Sequence, residues 1–495
     1  MPDAPRTDSV PTPASAPTSP PAPDTIPPAP ESVPSPGSVP PAPAPDSVPP
    51  APAPASAERT ATGSIRTSTA TGAIRTLGSN PETAPVMLHP GDALSLGRRT
   101  LSIILLGALT ALGPFTIDLY LPAFPLLEED FQTTAAAIQL TLTGTMIGFA
   151  LGQLVVGPLS DKVGRRVPLI AVTALHVLAS LGAAFAPDLG LLSAARVLMG
   201  IGAAAGGVVA MAIVRDLFGG RRLVVMLSRL ALVSGVAPVV APLIGSWLLT
   251  LMPWRGIFGV LAAYGVVMLL STVLFIRETL PVARRRDRGG ATMLQRYRSV
   301  LTDRVFLGVL VIGGMTFSGL FSYLSASPFL FQVTHGLDAQ QYGLVFAVNS
   351  LGVVVGVQTA SRLAARFGPQ WVMAYSTAVL LLAGSAIVVT DQLGLGLWGT
   401  LIPLFVFMTA CGFTMPNVQV LALDRHGKAA GTAASIIGAT NFGVAGLVSP
   451  VVGWISHDAG ITATSMASVM VGCSAVGILA LWLVVRPRTV GMLAP

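Results

Sequence analysis

Charge is what this sequence has least of. Only 10% of its residues are Asp, Glu, Lys or Arg, against 52% hydrophobic, and the mean hydropathy is +0.72. Soluble domains carry roughly 25% charged residues, so a soluble globular fold is excluded. Cysteine is almost absent too. Cys411 and Cys473 are the only two, each inside an apolar run. Neither spacing nor setting suits a disulfide or a metal site, and buried packing accounts for both. No nucleophile–base set, metal-ligand spacing or phosphate loop occurs, so an enzyme is not expected, nor a cofactor or metal. No basic start followed by an apolar stretch opens the chain, so no signal peptide is read there.

Residues 1–95 lack large apolar side chains almost entirely before Leu77 and repeat PAP, SVP and PAPA. Such a composition cannot form a core and predicts a disordered, Pro/Ala-rich cytoplasmic tail with polyproline II character. A solvated linker or a start codon placed too early would explain it; a partner-docking arm is the other reading.

What the sequence has instead is length in its apolar runs. Twelve of them lie near 101–122, 136–158, 167–186, 189–213, 224–251, 256–276, 305–332, 342–364, 371–390, 394–421, 432–455 and 463–485. Runs of about 20 apolar residues are membrane-span length. The one long polar break, 277–304, divides them into two sets of six: residues 96–276, then a basic cytoplasmic linker, then 305–495. With the N-terminus cytoplasmic, the inner loops hold Arg98/Arg99, Lys162/Arg165/Arg166, Arg215/Arg221/Arg222, the Arg284–Arg304 cluster, Arg362/Arg366, Arg425/Lys428 and Arg486/Arg488. The outer loops hold Glu128, Glu129, Asp130, Asp188, Asp338, Asp391 and Asp458, and only Arg255 breaks the pattern. A wrong span count would scramble this alternation. The net charge of +7 therefore marks topology and faces anionic lipid; it does not mark a nucleic-acid groove. The expectation is a multi-pass protein of a bacterial cytoplasmic membrane, both termini inside, working as a monomer.

The two sets echo each other. GPLSDKVGRR (157–166) follows the second run and ASRLAARFG (360–368) the eighth; Pro238, Pro242 and Gly245 in the fifth find counterparts in Gly446, Pro450 and Gly453 of the eleventh. Repeats of six spans about an axis along the membrane normal characterise one large transporter fold.

On these residues the chain resembles the major facilitator superfamily. Its motif A, G-x-L-x-D-x-x-G-R-[RK], is complete in Gly157, Leu159, Asp161, Gly164, Arg165 and Arg166. The resemblance implies an all-α fold of two pseudo-symmetric six-helix bundles. It also implies a gate in which the acid contacts a neighbouring helix end and basic partners. A carboxylate is stabilised at a helix N-terminus by the dipole. A topogenic turn is the plainer account of the same residues. FTIDLYLPAFP (115–125) narrows the likeness to the bicyclomycin-resistance (Bcr/CflA) family of drug:proton antiporters. The fourth span's ARVLMGIGAAAGGVVAMAIVRDLF, the fifth's SGVAPVVAPLIGSWL, FSYLSASPFLFQ in the seventh and HGKAAGTAASIIGATNFG entering the eleventh extend it over about residues 100–485.

Asp118 is the only acid within the first run. Carboxylates at membrane depth cost several kcal/mol (about 2.5–3.5 at a helix centre), are rare and are usually functional. Asp118 is thus the candidate proton site and matches the family's acid; a wet carboxylate near the helix end, helped by Tyr120, is the alternative. The second acid of some related carriers falls near Thr110, so the proton stoichiometry stays open. Arg196 is the only base deep in an apolar run of the first set. It matches the motif B arginine that the superfamily links to proton transfer, although the Gln often found three residues on is Met199. An arginine keeps its proton and would act through its field, unless it snorkels to the cytoplasmic end. Gly235, Pro238, Pro242 and Gly245 fit the exporters' motif C, either as a seal or as close helix packing. Tyr120, Gln139, Tyr323 and Asn417 are candidates to line a substrate cavity.

The reading that follows is proton-coupled efflux of small amphipathic, drug-like compounds by alternating access. The alternative is a proton-coupled transporter of a single metabolite such as an amino acid or sugar, exporting or importing.

Overall fold

The computed structural model describes residues 89–282, 285, 293–426, 430–456 and 460–489. Residues 1–88, most of the expected disordered tail, lie outside the described residues. So do Arg284, Lys428 and Asp458 of the loop-charge pattern. Disorder was expected through residue 95, and here the structure differs. Pro90–Ala93 form a 3-10 turn, Arg99 donates to the Gly91 and Leu94 carbonyls (3.4 and 3.2 Å), and Ser95 caps the first long helix. Gly91 permits this: a Cβ there would stand 2.6 Å from the Leu217 carbonyl at the end of the fourth span.

Every regular element among the described residues is helical. Twelve helices are long and apolar enough to cross a membrane: Leu96–Asp130, Ala135–Val163, Arg166–Ala184, Leu189–Leu217, Gly220–Leu248, Trp254–Phe275, Arg304–Thr334, Ala339–Phe367, Pro369–Gln392, Gly396–Asp424, Ala430–Ser456 and Ala463–Val485. Their starts are set by capping. Asp188 accepts from Leu191 N (2.8 Å), and Asp338 forms a reciprocal box with Gln341, each satisfying donors that a helix N-terminus leaves bare.

The second span corrects one expectation. GPLSDKVGRR is mostly not a turn: the helix continues through Val163 with Pro158 inside it, and the reversal takes only Gly164 and Arg165. Gly164 supplies it with φ +105°, and Gly368 repeats this after the eighth span with φ +83°. Both values belong to the left-handed side that favours glycine.

The six-span repeat extends to packing. The second span packs on the fourth, the third on the fourth and sixth, and the first on the fourth and fifth. The eighth, ninth and seventh repeat this on the tenth, twelfth and eleventh. Glycines make the tightest crossings in both halves: a Cβ on Gly148 would lie 3.0 Å from the Gly200 Cα, and one on Gly356 2.9 Å from the Gly412 Cα. Small residues allow this approach where no hydrophobic force drives helices together. The halves join along two seams, second span on eleventh and fifth on eighth.

Apolar side chains such as Leu178, Leu274, Leu382 and Leu447 are exposed around the perimeter. Exposed Trp247, Trp398, Trp454 and Trp482 sit close to span ends, where an amphipathic ring suits the membrane–water boundary.

Candidate functional site between the two halves

The first span is broken, and the break is written in its prolines. Its helix Leu96–Asp118 ends at the acid; Leu119 and Tyr120 turn, Leu121–Ala123 form a 3-10 turn, and Phe124–Asp130 resume the helix. A proline ring clashes with the carbonyl four residues back and lacks an N–H. Pro122 therefore cannot follow Asp118 in one continuous helix. Asp118 is left at a helix C-terminus, buried at 3% exposure, with Oδ1 unpartnered among the described residues. Carbonyl dipoles at that end oppose a negative charge, and a cation is needed nearby.

Arg196 of the fourth span is that cation. It is completely buried, so it does not snorkel, and it starts two turns from Asp188, far from the chain's basic loops. NH1 donates to the Thr116 carbonyl at 2.7 Å, and the guanidinium lies 3.8 Å over the Tyr120 ring. Nε and NH2 have no partner, and no hydrogen bond joins it to Asp118 among the described residues; it reaches the acid through its field. The Tyr120 hydroxyl lies 3.0 Å from Thr141 Oγ1, whose own proton goes to the Ile138 carbonyl (2.7 Å), so Tyr120 donates. Phe124 and Phe258 pack against the Tyr120 ring.

The second half faces this cluster with tyrosines. Asp118 lies within electrostatic reach of Tyr323 and Tyr342. Tyr323 is fully buried, stacks on Phe346 at 5.7 Å, and its hydroxyl has no hydrogen-bond partner within the distance and angle limits. Tyr342 pairs with Ser327 at 3.1 Å. Gln139 is placed elsewhere. Its Nε2 donates to the Ser325 carbonyl and its Oε1 accepts from Gly453 N, both at 3.2 Å. Both ends of its amide thus clasp the two halves together. Asn417 donates to Phe413 of its own helix (2.7 Å) and is not joined to the cluster. Gln358 and Gln419 are exposed.

At the basic face the hub is Arg165. NH1 donates to Asp161 Oδ1 (2.5 Å) and Ser160 Oγ (2.8 Å), and Nε to Asp216 Oδ2 (3.0 Å) at the end of the fourth span. Glu278, just past the sixth span, accepts from Arg165 N and Leu280 N at 2.9 Å and Arg166 N at 3.3 Å. Burial alone would raise this carboxyl, but the three N–H donors and Arg285 hold it below the ordinary glutamate value. Arg165's partners all belong to the first half. No group of three His, Cys, Asp or Glu able to hold a metal occurs among the described residues.

Comparison with known proteins places this geometry. The family model described as Major Facilitator Superfamily matches residues 104–450 and 328–493. The chain belongs to the major facilitator superfamily. Among its relatives is a Bacillus subtilis protein named uncharacterized MFS-type transporter YdgK, 34% identical over 79% of this chain and 97% of its own. A bicyclomycin resistance protein homolog of Haemophilus influenzae is 29% identical over 76% of this chain and 94% of its own. Multidrug resistance protein MdtL of Escherichia fergusonii is 29% identical over 77% and 95%. The fold is also that of a crystallised bacterial homologue of the lysosomal transporter Spinster, in an inward-facing, unoccupied conformation. That match has a TM-score of 0.61 and 15% identity, covering 80% of this chain and 98% of that one.

In this superfamily member the motif C residues separate into two kinds. Pro242 and Gly245 are buried, and a Cβ on Gly245 would run into the Leu119 carbonyl. Gly245 thus makes room for the break in the first span. A Cβ on Gly235 meets nothing within 4 Å, and Pro238 is half-buried. Of the motif A residues, Leu159 is exposed and Gly157 lies against Val208 and Ser435. Asp216, Glu278, Thr116, Tyr342 and His176 were not found from the sequence. Two carried a usable signal. Asp216 and Glu278 are acids among otherwise basic loops, and His176 is the only one of five histidines inside a span.

Proposed function

We propose that this transporter exports small amphipathic, drug-like compounds across a bacterial cytoplasmic membrane in exchange for protons, by alternating access. The observation that carries the reading is Asp118, a buried carboxyl at a helix break, unpartnered at Oδ1, next to a fully buried Arg196 and facing the second half. A carboxyl so placed gains a proton with little local rearrangement, and the fixed guanidinium favours its release. Protonation would change the charge at the junction of the halves, which is where alternation must be biased. The names of the Haemophilus and Escherichia relatives support a drug-like substrate. The loop charges support both termini inside, and Arg255, the exception, is matched by Asp130 at 2.7 Å.

Gradient-driven efflux in an efflux-deficient host, measured with Asp118→Asn, tests this. The variant should reach the membrane in normal amount and lose efflux driven by a pH gradient. Undiminished gradient-driven efflux would refute the proposal.

A further inference from the structure

His176 of the third span lies one layer behind the Asp118 site and is fully buried. Its Nε2 is 2.9 Å from Thr116 Oγ1. The Thr116 hydroxyl already gives its proton to the Leu112 carbonyl at 2.6 Å. The threonine oxygen must therefore receive, and His176 donates from Nε2–H, which assigns the neutral tautomer. Nδ1 faces Ser180 Oγ at 3.4 Å, but Ser180 gives its proton to the His176 carbonyl at 2.7 Å. The fourth and sixth spans leave room for the ring. A Cβ on Gly202 would come 2.7 Å from the His176 Cβ, and one on Gly265 3.2 Å from Nδ1. The charged group that acts on the imidazole is Arg196; Thr116 and Ser180 are its polar neighbours.

Thr116 thus receives twice: His176 bonds its side chain, and Arg196 bonds its carbonyl at 2.7 Å. Two residues later the helix ends at Asp118. Three spans meet in this one turn.

We propose that His176 is a positioning residue for the Asp118–Arg196 pair. Its Nε2–H fixes the last turn before the break, and through Thr116 it sets how the guanidinium stands against the acid. It does not carry the transported proton. This rests on the proton-coupled reading above and adds a residue to it.

The test is the pH profile of gradient-driven efflux in proteoliposomes for the wild type, His176→Gln, His176→Leu and Thr116→Val, with Asp118→Asn in the same series. A glutamine places an amide N–H near the Nε2 position. His176→Gln should keep the wild-type midpoint, and His176→Leu should move it by about one pH unit, the size that loss of one buried hydrogen bond implies. Thr116→Val removes the acceptor with the imidazole in place and should move the midpoint in the same way; it decides the matter where His176→Leu does not fold. A wild-type midpoint in the leucine and valine variants would overturn the proposal. So would an equal shift in the glutamine variant, because the ring's own titration would then matter. If Asp118→Asn keeps its pH-driven efflux, the coupling reading falls. If it loses efflux while His176→Leu is unshifted, only the positioning role falls.

Discussion

Replacing Gly164 by alanine should cost this protein several kcal/mol, by two separable routes. Gly164 has φ +105° and ψ 168°, a region essentially reserved for glycine, and a side chain there costs about 1–3 kcal/mol. The added Cβ would also come 2.8 Å from the Glu278 Cδ and closer still to its Oε2. Glu278 would have to withdraw from its two 2.9 Å bonds to Arg165 N and Leu280 N. Hydrogen bonds to a charged group contribute about 1.5–3 kcal/mol each, and at a partly exposed carboxylate the low end applies, about 3 kcal/mol for the two. The whole cost is then about 4–6 kcal/mol. A double-mutant cycle on the unfolding of detergent-solubilised protein separates the routes. In a Glu278→Ala background Gly164→Ala should cost only the backbone share of about 1–3 kcal/mol. Equal costs in the two backgrounds would refute the argument that glycine is required there for the approach of Glu278.

The same carboxylate predicts a pH dependence. Its pKa is depressed in the folded protein, so its stabilisation is present above the unfolded value of about 4.3 and is lost as pH falls through the lower folded value. The stability difference between wild type and Glu278→Gln should stay constant from neutral pH down to about 5 and shrink below about 4; a difference that fades above pH 5 would contradict it. Gly245 and Gly235 should also part company. Gly245→Ala should impair transport by pushing the Leu119 carbonyl and the break beside Asp118, an overpacking cost of about 1–3 kcal/mol, while Gly235→Ala, with open space around it, should be tolerated. Transport and membrane abundance of the two variants measure this, and equal behaviour would sink it.

Much of the architecture was legible because the bilayer restricts the options. A backbone that must satisfy its own hydrogen bonds in lipid is helical, and the length of each apolar run states whether it can span. Asp118 and Arg196 stood out for the same reason: each is the one charge of its kind in a setting where charge is costly. What the runs concealed was local. The second span hides the extent of its helix because Asp161 and Lys162 look like loop residues, although a helix end reaching water accepts them readily. Gln139 looked like a cavity residue, since an amide in a span has to find partners somewhere, and nothing along the chain says that Ser325 and Gly453 supply them.

By itself, then, the sequence determined the helical class, the twelve spans in two echoing sets, the break-prone prolines after Asp118 and the complete motif A. These are properties of neighbouring residues and of their solvent. The tertiary structure decided which groups meet: Arg196 over Tyr120 and on the Thr116 carbonyl, His176 behind them, Tyr323 across from Asp118, and Arg165 joining Asp161 to Asp216. Those partners lie tens to hundreds of residues apart. Helix periodicity fixes the face on which a residue lies, but only the packing of one helix on another brings two faces together.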